Sequence, residues 1–212
     1  MGLRNIILNM PYIIAGLGNP GKEYENTRHN TGRIVLDIIR KEHDGEDFVF
    51  DKKSNSSVSK ITIGKGKKAE TVTLVAPETF MNNSGKAIAY FVKNEKAASK
   101  LIVIYDDFNL PLGRMRISFN RSSGGHNGIE SIIKSLKTEA FVRIRVGNAK
   151  ETSKGLAKVP HGDDKIEKFI LGEYSDAEMK ELKKISKNIC EAVSVIISES
   201  KEKAMSIYNA NN

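Results

Sequence analysis

The sequence predicts a single α/β domain, with a twisted, mixed but mostly parallel sheet flanked by helices and a long amphipathic helix at the C-terminal end. Two observations lead to this fold class. Short apolar runs, which are typical of buried strands, alternate along the chain with stretches of helical periodicity. The 212 residues include 39% hydrophobic side chains, enough for one sizeable core, and show neither a repeat nor a linker. We therefore assign residues 1–212 to one domain, with residues 1–11 as a short N-terminal extension.

Strands are expected where β-branched and apolar residues alternate or run together. These stretches are 12–17, 56–63, 70–76, 101–105, 114–119 and 141–146. Helices are expected where apolar residues recur every three or four positions. These stretches are 32–42, 87–92, 129–136, 165–171 and a long final helix that opens at the capping-box sequence Ser175-Asp176-Ala177-Glu178 and ends near Tyr208. Residues 147–163 are polar and irregular, which predicts a mobile segment.

The charge balance favours a polyanionic partner. The chain has a formal net charge of +8 and a pI near 9.4, and basic proteins attract nucleic acid. A generic basic surface on a protein with another partner is the alternative. Arginine suits bidentate phosphate contacts, and five arginines lie around a glycine-rich loop at residues 121–128. They are Arg114, Arg116, Arg121, Arg143 and Arg145.

Other features limit the compartment and the chemistry. No stretch approaches the roughly 20 apolar residues that cross a bilayer, so no membrane partner is expected. Cys190 is the only cysteine, which excludes an intramolecular disulfide, and its helical surroundings predict a small core residue. Residues 1–11 are too short and too weakly basic for a transit peptide. We expect a cytoplasmic protein and leave organellar targeting open.

A glycine-rich loop at residues 16–24 follows the first strand and leads to His29. Gly16, Gly18 and Gly21 match the dinucleotide fingerprint G-x-G-x-x-G. That fingerprint turns directly into a helix, whereas here a polar turn follows and the next helical pattern starts only near Gly32. Dinucleotide binding is therefore disfavoured. A polar reaction site with a titratable base, or a loop that serves backbone geometry alone, are the remaining interpretations.

His29 is the natural general base, because the unperturbed pKa of imidazole, about 6.5, lies near working pH. Asp106, at the end of the apolar run 101–105, would orient the other ring nitrogen. No serine or cysteine lies in a nucleophile-elbow context, so the base would act on water. Asparagine amides would hold a substrate carbonyl and stabilise its oxyanion. The candidates are Asn19, Asn82 and Asn127.

Each of these residues also has a structural interpretation. His29 would then be a hydrogen-bonded loop histidine, and Asp106 a helix or turn cap. Asn82 and Asn127 each precede a helical pattern, so capping is their alternative. For His126 we favour a structural or secondary role. The set as a whole is more specific than any member.

Five segments of the chain together resemble the bacterial-type peptidyl-tRNA hydrolase family. They occur in the family's order and spacing, and the resemblance runs from about Tyr12 to the final helix. The segments are Gly16-Leu17-Gly18-Asn19-Pro20-Gly21-Lys22-Glu23-Tyr24, Thr27-Arg28-His29-Asn30-Thr31-Gly32, Thr79-Phe80-Met81-Asn82-Asn83-Ser84-Gly85, Tyr105-Asp106-Asp107-Phe108-Asn109-Leu110-Pro111 and Ser123-Gly124-Gly125-His126-Asn127-Gly128.

The resemblance implies hydrolysis of the ester that joins a peptide to the 3′ ribose of tRNA, which frees tRNA from prematurely released chains. It implies that His29 is the base, that Asp106 pairs with it, and that Asn19 positions the water or the carbonyl. Residues implied to bind the peptidyl-adenosine end are Tyr24, Asn82, Asn127 and His126. Residues implied to hold tRNA phosphate are Arg116, Arg121 and Arg145. A monomer without metal or other cofactor is implied.

Some positions depart from the family pattern. Asn109 stands where an acid is usual, Arg121 lies where glycine is common, and Val146-Gly147-Asn148-Ala149 replaces a Gly-Ile-Gly-x-Pro ending. We expect these changes to affect the grip on tRNA more than the chemistry. The resemblance extends to plant organellar splicing factors on the same fold, so a non-enzymatic RNA-binding protein is the alternative function.

Overall fold

The computed structural model describes residues 10–210, apart from the side chain of Lys67. Within this range, seven strands alternate with seven α-helices in one α/β domain. In chain order the elements are β1 (Tyr12–Gly16), α1 (Thr31–Glu42), β2 (Val49–Asp51), β3 (Ser56–Ile63), β4 (Glu70–Pro77), α2 (Ser84–Phe91), α3 (Glu95–Ala98), β5 (Leu101–Pro111), β6 (Met115–Phe119), α4 (Asn127–Leu136), β7 (Val142–Ala149), α5 (Asp163–Ile170), α6 (Asp176–Ser198) and α7 (Lys201–Asn209). Residues 1–9 of the expected N-terminal extension lie outside the described residues.

The sheet is mixed with a parallel centre, as the sequence predicts. Its strand order is β2-β3-β4-β1-β5-β7-β6. Strands β4, β1, β5 and β7 are parallel neighbours, whereas β2, β3 and β6 run antiparallel at the two edges. Because the carboxyl ends of β1 and β5 lie side by side, the loops that follow them meet at one edge of the sheet.

Helices cover both faces of this sheet. Strand residues alternate between the faces, so Ile14 packs with one apolar cluster while Ile13 packs with the other. The first cluster includes side chains of α1 and α6, such as Leu36 and Ile189. The second includes side chains of α2 and α4, such as Ile88. Burial of apolar residues on both faces explains the continuous apolar runs of the central strands.

Strand β5 is longer than its sequence predicts. Asp106 and Asp107 lie inside the strand rather than beyond its end, because they pair with Val146 and Gly147 of β7. The pairing becomes irregular after Asp107 and resumes only at Pro111. A polar pair in mid-strand interrupts the apolar pattern, and only the partner strand shows that pairing continues.

The expected single C-terminal helix is divided in two. Helix α6 ends at Ser198, and Ser200 adopts an extended backbone from which its side chain accepts a hydrogen bond from the Lys203 N–H at 3.1 Å. The turn lets α7 reach the edge strand β6. There the Asn209 amide accepts from the Ile117 N–H at 2.8 Å and donates to the Ile117 carbonyl at 2.9 Å. The side chain thus substitutes for a neighbouring strand.

Two elements were not expected from sequence, namely β2 and α3. They have three and four residues, which is too short for periodicity to show. Between β7 and α5, residues 150–162 form an irregular connection closed by a bridge between Glu151 and Ala157. The mobility of this segment stays a prediction.

Gly32 in the first turn of α1 controls how closely the helix approaches the sheet. A Cβ at this position would lie 2.3 Å from the Ile104 carbonyl oxygen and 2.4 Å from the Leu17 backbone nitrogen. Both atoms belong to backbone, one inside β5 and the other directly after β1, so neither moves without distorting the sheet. Since α1 begins directly after His29, this contact also sets the distance of the histidine from β5.

We predict that Gly32→Ala lowers the free energy of unfolding by about 1–3 kcal/mol, the usual cost of overpacking a core. Urea denaturation measures this loss. Lys183→Ala on the exposed face of α6 is the control and should change stability by less than about 0.5 kcal/mol. Equal stabilities of the Gly32 variant and the wild type would contradict the close approach.

Candidate active site

The candidate active site is a cleft of about 960 Å³ at the carboxyl ends of β1 and β5. The loop after β1, the turn before α1, the turn before α2, the N-terminus of α4 and one side of α5 form its walls. Five side chains that the sequence singles out line this cleft. They are Asn19, Tyr24, His29, Asn82 and Asn127.

His29 and Asp106 form a buried pair at the bottom of the cleft. His29 lies in a single 3₁₀ turn, Arg28–Asn30, and its Nδ1 is 2.9 Å from Asp106 Oδ1. The residues are 6% and 2% exposed, so the contact is shielded from water. Because an ionised carboxylate only accepts, Nδ1 carries the proton and Nε2 is left as an acceptor. This is the tautomer that a general base needs.

Burial and the pair act in opposite directions on both pKa values. Burial alone lowers the pKa of His29, but the charge and the hydrogen bond of Asp106 outweigh it, so the pKa lies above its usual value. Burial alone raises the pKa of Asp106, but its histidine neighbours outweigh this and hold the pKa far below the usual range. Asp106 is therefore ionised at every pH at which the protein works.

His126 contacts the same carboxylate from the other side. Its Nδ1 accepts from the backbone N–H groups of Gly128 and Ile129, at 3.2 and 3.4 Å, and so caps the N-terminus of α4. Its Nε2 must then carry the proton, which it donates to Asp106 Oδ1 at 3.1 Å. Both ring nitrogens are thereby used, and the ring edge packs on Tyr105.

The ligating atoms of His29, Asp106 and His126 lie within 4.8 Å of one another, close enough to suggest a metal centre. The hydrogen-bond pattern does not fit one. A cation on His126 Nε2 would move the ring proton to Nδ1, where it would meet the N–H donors of Gly128 and Ile129. The three side chains fit a hydrogen-bonded network instead.

Asn19 presents an amide to the cleft in a fixed orientation. Its Oδ1 accepts from the Met81 N–H at 2.8 Å, which turns the Nδ2 group toward the space that His29 faces. Two hydrogen bonds to the Asn30 side chain, of 2.8 and 2.9 Å, lock the backbone of Asn19. A donor held by the surrounding backbone is suited to an oxyanion.

Asn82 and Asn127 stand exposed on the rim of the cleft. Neither caps a helix: Asn83 occupies the N-cap position of α2, and His126 that of α4. The structural alternative for these two asparagines is therefore wrong, and their amides face the cleft. Tyr24 is half-buried on the opposite wall.

The predicted phosphate-binding arginines meet in a second, adjoining pocket of about 450 Å³. Arg116 and Arg145 are register partners across β6 and β7, and Arg121 lies exposed in the following loop. Arg145 donates from Nε to Asp107 at 2.5 Å, which holds its guanidinium over the pocket. Asp106 and His126 line this pocket but not the cleft, whereas Phe108 and Gly124 line both, so the two cavities adjoin at these residues.

Arg143 lines this pocket too; it is one of the five arginines that the sequence places around the loop, but not one of the three implied to hold phosphate. It is 1% exposed, donates from Nη1 to the Ser122 carbonyl at 3.0 Å and stacks on Phe141. Its alternation with Arg145 along β7 places both side chains on one face of the sheet. That alternation, visible in the sequence, would have identified it.

Asn148 is a second residue that sequence reasoning missed. We expect the departure of residues 146–149 from the family pattern to affect the grip on tRNA more than the chemistry. Instead, Asn148 is buried and its Nδ2 lies 3.3 Å from Asp106 Oδ2. The sequence offers no signal for it, because β7 already carries two other polar side chains, Arg143 and Arg145.

Comparison with known proteins identifies the family. The family model described as peptidyl-tRNA hydrolase matches residues 13–212. A peptidyl-tRNA hydrolase of Thermotoga petrophila is 41% identical over 199 residues, which cover 93% of this chain and 97% of the relative. One of Caldanaerobacter subterraneus is also 41% identical, over 204 residues that cover 93% and 99% of the two chains.

The fold agrees with these relatives. A crystal structure of peptidyl-tRNA hydrolase from Acinetobacter baumannii superposes with a TM-score of 0.80 at 24% identity, covering 94% of this chain and 95% of the other. The family match spans every element from β1 to α7. By sequence and by fold, the chain belongs to the peptidyl-tRNA hydrolase family.

Proposed function

We propose that this protein hydrolyses the ester bond between peptide and tRNA in peptidyl-tRNA, with His29 as the general base. One observation carries the proposal: a buried histidine–aspartate pair whose free Nε2 opens onto a cleft beside the oriented amide of Asn19. The family membership of the chain names the ester, which the geometry alone does not.

The reaction follows from the two ring nitrogens. Nε2 of His29 takes a proton from water while the water oxygen bonds to the ester carbonyl carbon. Asp106 stabilises the imidazolium that forms and keeps its own charge. Asn19 Nδ2 donates to the oxyanion. The carbonyl then re-forms, the bond to the ribose oxygen breaks, and that oxygen receives the proton from His29. The products are a peptide carboxylate and a free 3′ end.

The cleft divides into walls of different character. Asn82, Asn127 and Tyr24 are proposed to bind the peptidyl-adenosine end. Another part of the lining is apolar and consists of Ile166 and Ile170 of α5 and the exposed ring of Phe80. Peptide side chains would pack against this wall. His126 stays a predicted substrate contact, but with both nitrogens engaged it is restricted to contact through its ring.

The basic pocket is proposed to hold tRNA phosphate through Arg116, Arg121 and Arg145. Asp106 lines this pocket, so a phosphate bound there lies close to the catalytic carboxylate. A basic pocket beside an apolar cleft orients the substrate, because the tRNA phosphate is attracted to the pocket and the peptide side chains pack in the cleft.

We further propose a monomer that acts without a metal, because both ring nitrogens of His126 are already engaged in hydrogen bonds. We propose that it is cytoplasmic, because its substrate arises in translation. Among residues 10–210, no helix is long and apolar enough to cross a membrane. The alternative of a non-enzymatic RNA-binding protein is not supported, since the relatives are named as hydrolases and the reactive pair is intact. Size-exclusion chromatography tests the monomer.

We predict that His29→Ala lowers kcat for release of tRNA from an N-blocked aminoacyl-tRNA by about 10²–10⁴-fold, the usual contribution of general base catalysis. A chelator present throughout should leave the wild-type rate unchanged. His161→Ala, an exposed histidine of the 150–162 connection, is the matched control and should retain full activity. Wild-type turnover by the His29 variant would refute the assignment.

The pH profile reports the same base. Because Asp106 raises the pKa of His29, kcat/KM should increase with pH and reach its plateau above the usual imidazole value of about 6.5. Asp106→Asn removes the charge and leaves burial as the dominant influence, which lowers the pKa. The midpoint should therefore move to lower pH in the variant while the plateau rate falls. An unchanged midpoint in the variant would show that Asp106 does not control the pKa of the catalytic base.

Arg145→Ala should flatten the salt dependence of tRNA binding. Each lost phosphate contact reduces the slope of log K against log salt by about 0.7–0.9. Lys183→Ala, on the exposed face of α6, should leave the slope unchanged. Filter binding over a range of salt concentrations measures both, and identical slopes would remove Arg145 from the tRNA surface.

A further inference from the structure

A fully buried asparagine lies behind the catalytic carboxylate. Asn148 is the last residue but one of β7, and it is 1% exposed. Its Nδ2 donates to Asp106 Oδ2 at 3.3 Å, while its Oδ1 is one of the few buried side-chain acceptors between residues 10 and 210 without a hydrogen-bond partner. A buried acceptor left in this state destabilises a protein. Packing alone therefore does not explain why an asparagine occupies this position.

The carboxylate of Asp106 divides its two oxygens between different partners. Oδ1 accepts from His29 Nδ1 at 2.9 Å and from His126 Nε2 at 3.1 Å. Oδ2 accepts from Asn148. The amide of Asn148 has one possible orientation, because the opposite one would place its oxygen against a negative charge. The orphaned Oδ1 is the consequence of that orientation.

Close packing of β5 on β7 brings the asparagine to this place. Asp107 pairs with Gly147, and a Cβ at Gly147 would lie 1.9 Å from the Pro111 carbonyl oxygen. Glycine thus lets the irregular part of β5 approach the backbone of β7 closely, directly before Asn148. The side chain that follows is enclosed and has the catalytic carboxylate as its one partner among the described residues.

We infer that Asn148 is a positioning residue of the active site: it holds Oδ2 of Asp106, so that Oδ1 stays directed at His29. The inference rests on the proposed function, in which His29 acts as the base. A carboxylate free to rotate about its Cβ–Cγ bond would share its oxygens differently between the two histidines. The amide donor restricts that rotation.

Loss of the donor has a defined effect on the base. The positive end of the amide dipole offsets part of the charge that His29 experiences. Without it, Asp106 depends more on the imidazolium, and the pKa of His29 rises. Other titratable groups around Asp106 are unchanged by the substitution. They are His126, Tyr105, Asp107, Arg145 and Tyr174.

The test is Asn148→Leu, which has a similar shape and neither a donor nor an orphaned acceptor. We expect the midpoint of the kcat/KM profile to move to higher pH and the rate at neutral pH to fall about two- to tenfold, the worth of one net hydrogen bond. KM should be unchanged. Loss of the donor to Asp106 lowers the free energy of unfolding, while removal of the unpaired acceptor raises it, so the pH midpoint and not thermal stability is the deciding measurement. Asn148→Val is the second variant if the leucine does not fit.

Ile189→Val in α6 is the control for general core damage, because it lies in the core and away from the site. It should lower thermal stability and leave the pH midpoint in place. If Asn148→Leu behaves like this control, with lower stability and an unmoved midpoint, the residue only packs and the inference is wrong.

Imidazole NMR separates this inference from the proposed function. Titration of the His29 ring in wild type and Asn148→Leu reports the pKa without any turnover. A raised pKa in a protein that does not hydrolyse peptidyl-tRNA would support the role of Asn148 and refute the function. An unchanged pKa in an active enzyme would refute the role of Asn148 alone.

Discussion

The buried carboxylate of Asp106 is the interaction on which the site depends. An ionised carboxylate at 2% exposure is stable only with compensating donors, and here His29, His126 and Asn148 supply three. Each donor comes from a different part of the chain. The turn before α1, the N-terminus of α4 and the end of β7 are therefore held together by one charge, and the base receives its tautomer from the same contact.

Two pieces of backbone geometry make that convergence possible. Gly32 lets α1 approach the end of β1 and the backbone of β5, and Gly147 lets β5 approach β7 closely. At both positions a side chain would collide with backbone rather than with a flexible neighbour. The glycines of this site thus act through close packing of helix and strands, which differs from the phosphate-binding role that a G-x-G-x-x-G pattern suggests.

Stability and catalysis make different demands on the same residues. His126 serves both, since one nitrogen caps α4 while the other holds Asp106. Asn148 favours catalysis at the expense of stability, because its orientation toward Asp106 leaves a buried oxygen without a partner. Arg143, enclosed beside the basic pocket with two nitrogens unpaired among the described contacts, follows the same pattern. Of the six buried side-chain atoms without a hydrogen-bond partner in residues 10–210, three belong to Arg143 and Asn148.

The sequence by itself determined the fold class and the parallel centre of the sheet, and it singled out the candidate site residues from Asn19 to Asn127, because hydrophobic periodicity and five local motifs are properties of contiguous residues. Tertiary structure decided what depends on partners distant in the chain. The extension of β5 needed β7, the division of the C-terminal helix needed the edge of β6, and the engagement of both His126 nitrogens needed Asp106. Asn148 shows most clearly what the sequence could not predict, because a buried polar residue leaves no pattern in the sequence. Its proposed role depends on its contact with the carboxylate of Asp106 in the neighbouring strand β5.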